Sequence, residues 1–287
     1  ATSMKVESIN KLGLSILDLT LKSFANTKDS ENSSQSILQQ YDAQIASALM
    51  PAFHIGSSPD VIAMAINVGA EIIYSNIIPS VKSNRIAILF VKLLENFNDD
   101  SQNIIIGDAS LATKNAKRKI ELAVLNGWAR LTTHAISSDN ENLLLFTEEF
   151  WPILIPLWIV SLREYMIIKY ETSTTEINKI ADGNNVHGDT DKAKLVLYDP
   201  VWLNMTRALA SILFYDKSVV LQNMDDDELD SFMFALATRC LDETLQNIDN
   251  TKFKVELLST VHSIFRCNIL LRSLLSDDIF PEVIGIF

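Results

Sequence analysis

The sequence predicts an all-α fold, an α-solenoid in which antiparallel helix pairs stack into a superhelix of the HEAT or ARM type. Three observations predict it. Glycine (8) and proline (7) are scarce among the 287 residues, which leaves little material for the turns of a sheet protein. Apolar residues make up 48% of the chain and recur at helical spacing. Helix-start signals divide the chain into segments that pair without a strict sequence repeat, which suits a HEAT-type array better than a tetratricopeptide or ankyrin array. A stack also accommodates this length, because each repeat packs only on its neighbours.

The segment Met4–Phe24 carries Ile9, Leu12, Ile16 and Leu19 on one face of a helix whose other face is wet. Asn26–Ser36 is polar and reads as a solvated linker. Ile37–Phe53 resumes the helical period through Ile37, Tyr41, Ile45, Ala48 and Leu49, and Pro51 perturbs its end. Ser58 then Pro59 is a helix start: a capping hydroxyl, followed by proline where a missing N–H costs nothing. The helix from Pro59 runs to about Asn76, and Ala63, Ala65, Gly69 and Ala70 allow a close neighbour. Pro79 opens a further helix with Ile86, Leu89, Phe90, Leu93 and Leu94 as its stripe. Ser110 is expected to cap a long helix reaching Ile136. Ser138–Leu145 leads into a very apolar helix ending near Tyr170. Helices over Asp199–Tyr215, Asp225–Ile248 and Thr251–Leu275 complete four hairpins: 37–77, 79–136, 145–215 and 226–275.

The organisation is therefore a leading helix over 1–25, a linker over 26–36 and helix pairs over 37–170. A flexible insertion follows over 171–194, rich in Asn, Asp and Gly, and then further pairs over 195–287. Ile279–Phe287 stays apolar to its last residue, so the array is expected to continue beyond this stretch.

The net charge of −12 argues against a general nucleic-acid binder, which needs a basic face to displace counterions. Lys117, Arg118 and Lys119 form a short basic run that reads as a solvated helix turn. Phe150–Leu162 is apolar but short, carries Pro152 and Pro156, and is stopped by Arg163 and Glu164; it reads as a buried core helix. Cys240 and Cys267, the two cysteines, fit a reducing compartment.

Candidate chemistry is sparse. Asp226, Asp227 and Asp230 have the DDxxD spacing with which all-α isoprenoid synthases hold magnesium. The competing reading is that acidic residues complement the positive end of a helix dipole, and no second acidic cluster lies on a facing helix. His54, His134, His187 and His262 show no metal-ligand spacing. Phosphate-binding loops and nucleophile elbows are absent. The reading therefore assigns no catalytic residue, cofactor or metal. Two aromatic clusters remain, Trp151 with Trp158 and Tyr165, and Trp202 with Phe214 and Tyr215. Their helical spacing fits a core. The alternative makes Trp151, Trp158, Tyr165 and Trp202 anchors of a partner groove between hairpins.

Several pieces occur in an informative order: Pro51–Ala52–Phe53–His54 with Ser58–Pro59; Gly127–Trp128–Ala129–Arg130; Phe150–Trp151–Pro152 with Leu157–Trp158; Leu162–Arg163–Glu164–Tyr165; and Tyr198–Asp199–Pro200–Val201–Trp202. Over roughly 40–250 this order resembles the HEAT-repeat family of large accessory proteins of clathrin adaptor complex 1, the p200 type. The resemblance implies a section of a very long cytosolic solenoid without enzymatic activity. It implies adaptor subunits or an adaptor-binding co-subunit as partners, and membrane association at the trans-Golgi network, endosomes and clathrin-coated vesicles through those partners only. Self-association stays open. An importin-like transport receptor is the competing scaffold; the acidic residues here lie in loops and helix starts rather than in the inner-helix runs of that class.

Overall fold

The computed structural model describes residues 2–25, 27–29, 36–53, 57–75, 85–95, 105–106, 109–110, 114–138, 140–181, 194–199, 201–246 and 249–267. Its elements are α1 (Thr2–Phe24), α2 (Asp42–Leu49) between the 3-10 turns Ile37–Tyr41 and Met50–Phe53, α3 (Pro59–Tyr74) and α4 (Arg85–Glu95). A two-residue ladder pairs β1 (Ile105–Ile106) antiparallel to β2 (Ala109–Ser110). Then come α5 (Lys114–Ser137), α6 (Glu141–Glu148) and α7 (Trp151–Ala181). The chain continues through α8 (194–198), α9 (Trp202–Tyr215), α10 (Lys217–Leu221), α11 (Asp226–Gln246) and α12 (Thr251–Arg266).

The helices form two rows. In the first, α1, α3, α5, α9 and α12 lie side by side in that order. In the second, α2, α4, α6 with α7, and α11 lie against them. Neighbours within the first row are not consecutive in the chain, which is how an array of helix pairs buries its interior without a single central core. The architecture is the predicted all-α solenoid.

Local chemistry sets the helix ends. Ser58 Oγ accepts from the Val61 N–H at 3.4 Å, with Pro59 at the first helical position. Asn250 caps α12 through Phe253 at 3.1 Å, and Asp225 caps α11 by accepting from the Glu228 N–H at 2.8 Å. Two glycines govern how closely the rows approach. A Cβ on Gly69 would lie 3.0 Å from the Phe90 ring, and one on Gly127 would lie 2.7 Å from it. Phe90 of α4 thus sits over α3 and α5 where both lack a side chain.

Several expectations are corrected. Ser110 belongs to β2, and the helix starts at Lys114. The period over 37–53 is broken into two 3-10 turns around α2. The stretch leading into the very apolar helix is a helix of its own, α6, capped by Asn140 through the Leu143 N–H and divided from α7 by a turn at Glu149–Phe150. The helix α7 does not end near Tyr170. It runs to Ala181, so 171–181 of the expected insertion is helical and 182–193 lies outside the described residues. Trp151–Tyr170 is consequently long and apolar enough to cross a bilayer by length and composition, and half of it is buried within the fold. Packing, not shortness, marks it as a core helix. Pro156 deprives it of one backbone bond and Pro152 of none, since Pro152 lies in the first turn. The stripe of α1 is also displaced. Leu14 and Leu21 are buried, whereas Ile9, Leu12, Ile16 and Leu19 are exposed. Contact with α3 selects a different face from the one the spacing suggests. His54, Pro79, His187 and the apolar run 279–287 lie outside the described residues.

Candidate interaction surface

The four nominated aromatics are packing residues. Trp151, Trp158, Tyr165 and Trp202 are each at most 3% exposed, so they do not line an open groove. Trp158 Nε1 donates to the Leu125 carbonyl of α5 at 3.1 Å. Tyr165 stacks on Trp202 of α9 with ring centres 5.1 Å apart, and its hydroxyl accepts from Arg239 Nε of α11 at 3.4 Å. Trp151 meets Tyr215 edge-on at 5.7 Å. Trp158 and Tyr165 each couple area burial with a directed polar contact, whereas Trp151 packs through its ring alone, its buried indole N–H lacking a partner among the described residues.

The basic run is not a solvated turn. Lys117, Arg118 and Lys119 are all half-buried. Arg118 Nη2 donates to Tyr198 Oη at 2.7 Å, to Glu164 at 2.7 Å and to Ser161 Oγ at 3.3 Å. One guanidinium thereby joins α5, α7 and α8. Lys119 pairs with Asp60, which also accepts from Lys11 of α1 at 2.8 Å. The hydrogen bond from Lys11, and then that from Lys119, holds the Asp60 carboxyl below its ordinary 3.8.

The acidic run has partners of the helix-start kind. Asp226 pairs with Lys217 and Glu228 with Arg163, while Asp226, Asp227 and Glu228 occupy the first turn of α11. Among the described residues, no group of three His, Cys, Asp or Glu side chains has metal-binding geometry. Both cysteines are free thiols. Burial pushes Cys240 up to about 12 and Cys267 up to about 11.

Sequence reasoning missed the most ordered polar feature. Asn126 Nδ2 of α5 donates to Asn67 Oδ1 of α3 at 2.7 Å, and Asn204 Nδ2 of α9 donates to Asn126 Oδ1 at 2.8 Å. This three-rung amide ladder crosses the first row. Beside it Arg130 donates to Glu71 at 2.5 Å and to the Tyr74 hydroxyl at 2.5 Å. Glu71 is 6% exposed, so the pair is an internal one. His134 lies over the Tyr74 ring at 4.8 Å, and burial lowers its pKa below the ordinary 6.5. A groove of about 330 Å³ runs along the ladder, and a cleft of about 220 Å³ continues it; Arg130 and Asn204 line both. The available signal was an Asn followed within a turn by a charged residue on three helices: Asn67/Glu71, Asn126/Arg130 and Asn204/Arg207. A separate apolar groove of about 470 Å³ lies between α1 and the Met50–Phe53 turn, where Gly13 faces open space.

Residues 1–167 match the family described as the Laa1/Sip1/HEATR5 HEAT repeat region. The chain belongs to this family. Over 287 residues, 99% of its length, it is 43% identical to AP-1 accessory protein LAA1 of Saccharomyces cerevisiae, and it spans 14% of that protein. No solved structure matches it. Family membership explains the aromatics: within the pieces that carry the resemblance, Phe53, Trp128, Trp151, Trp158, Tyr165, Tyr198 and Trp202 are all buried. The aromatics of these pieces pack within the fold.

Proposed function

We propose that this chain is a section of a non-enzymatic scaffold that helps recruit clathrin adaptors at trans-Golgi and endosomal membranes. The observation that carries the proposal is the 43% identity, across essentially the whole chain, with a protein named as an AP-1 accessory protein. The fold is consistent with it, since stacked helix pairs present long continuous surfaces. Adaptor subunits or an adaptor-binding co-subunit are the partners of this reading. The protein is cytoplasmic in it, and meets membranes through those partners. In this reading the helix pairs over 37–170 and 195–287 form the stack, led by the helix over 1–25.

Affinity capture of the full-length protein containing this section, with quantitative mass spectrometry, tests the reading. Co-purification of adaptor complex subunits is expected. Recovery of the nuclear-transport GTPase and karyopherin cargo without adaptor subunits would replace it with the importin-like reading.

A further inference from the structure

We infer that the asparagine ladder and the cleft beside it form a docking groove for an extended, carboxylate-bearing segment of a partner protein. The argument begins with hydrogen-bond capacity. Each side-chain amide offers two N–H donors and an oxygen that accepts twice. The ladder uses one donor of Asn126 and one of Asn204. The amino group of Asn67 at one end and the carbonyl oxygen of Asn204 at the other have no hydrogen-bond partner among the described residues. Asn126 in the middle is 5% exposed, whereas Asn67 and Asn204 are half-open. The fold therefore seals the centre of the ladder and presents a donor at one end and an acceptor at the other.

That is the complement of a peptide backbone, which needs one C=O and one N–H satisfied along its length. Hydrogen-bonded amides repeat at ~4.8 Å, so the two open ends lie about 10 Å apart, or roughly three residues of extended chain at ~3.3 Å each. A helical ligand satisfies its own backbone and has no use for such a ladder.

Charge selects the chemistry of the segment. The chain has 36 acidic against 24 basic residues, yet Lys22, Lys119, Arg130 and Arg207 line the groove and cleft, and no acidic side chain among the described residues does. Arg130 is committed to Glu71, Lys119 to Asp60 and Lys22 to Asp18. Arg207 is different. It donates to the Glu256 carbonyl at 2.9 Å and to Thr260 Oγ1 at 3.1 Å, and has no carboxylate within ion-pair distance among the described residues. Burial lowers its pKa, and the Glu256 carboxylate, acting through space without an ion-pair contact, offsets this only in part. It lies one turn beyond Asn204 on α9, so a segment pinned on Asn204 can bring a carboxylate to it. Arg is suited to that contact because its planar fork matches a carboxylate.

The inference rests on the scaffold reading in expecting a protein ligand. A random-peptide display library selected on this chain tests it. Selected peptides should be enriched in Asp and Glu. Binding should fall about tenfold or more in Arg207→Gln and in Asn67→Leu, the scale of losing one charge-assisted or backbone-directed hydrogen bond. N-methylation of a central backbone amide of the peptide should have a similar effect. Thermal melts establish that the variants are folded; Arg207→Gln and the N-methyl peptide decide the matter if Asn67→Leu does not fold. The inference is overturned if no peptide is selected, if binders lack carboxylates, or if binding is indifferent to both Arg207→Gln and N-methylation. Arg207-dependent binding to phosphatidylserine vesicles, with no peptide binder, assigns the groove to a lipid surface and equally overturns it. Loss of peptide binding with adaptor recovery intact in the capture experiment removes the groove alone and leaves the scaffold reading standing.

Discussion

Helices α1 and α7 look alike in sequence and behave differently in the fold. Both carry large apolar residues at helical spacing. In α7, Leu154, Ile155, Trp158, Leu162 and Tyr165 are fully covered, while Ile9, Leu12, Ile16 and Leu19 of α1 are each more than half exposed. The difference is the set of neighbours. The α7 face meets α5, α9 and α11. In α1 only the face with Leu14 and Leu21 is covered, and polar contacts assist there: Lys11 with Asp60, and Ser58 Oγ with Glu7. Periodicity identifies an apolar face; it does not say which of two faces a neighbour will take.

Substitutions in the two helices can sharpen or break this contrast. The largest effect is expected in α7. Trp158→Ala should destabilise the chain by ~3–5 kcal/mol, the range for emptying a buried aromatic site, read from denaturant unfolding. Acid should act on α1 first. The Asp60 pKa is depressed, so its contribution is present above the ordinary 3.8 and is lost as pH falls through the lowered value. The Glu7 pKa is lowered too, by hydrogen bonds from Lys11 and then Ser58. In hydrogen exchange corrected for intrinsic rates, α1 amides should lose protection in this acid range before those of α7 do. The smallest effect is Ile16→Ser, expected to stay within about 0.5 kcal/mol, as for a surface site. A cost approaching that of Trp158→Ala would mean that the α1 stripe is covered in solution, and the contrast would fail.

What the sequence disclosed follows the range of the interactions. The fold class, the Ser58–Pro59 start and the close approach at Gly69 depend on neighbours in the chain or on one helix face, and were legible. Core packing of Trp151, Trp158, Tyr165 and Trp202 was legible as one of two readings, because helical spacing cannot distinguish a covered face from an open one. The role of Arg118 was hidden, since its partners Ser161, Glu164 and Tyr198 lie on two other helices. The ladder was hidden for the same reason: its rungs are 59 and 78 residues apart, and only the relative rotation of three helices brings them into line. The end of α7, expected near Tyr170, was misjudged because the polar run beginning at Glu171 looks like a loop, and Arg163 with Glu164 marks only the end of the apolar stretch. In the fold they are paired across helices, with Glu228 and Arg118.

The meeting of Gly69, Gly127 and Phe90 has a consequence for inheritance. One ring from α4 occupies the space that two missing side chains on α3 and α5 leave open. Enlarging Gly127 forces the ring to shift and enlarging Gly69 crowds it, while shrinking the ring opens a void. These three sites, scattered through the first half of the chain, carry one joint constraint. Drift there must proceed by compensated double changes, and a descendant with alanine at position 127 should show a smaller residue at position 90.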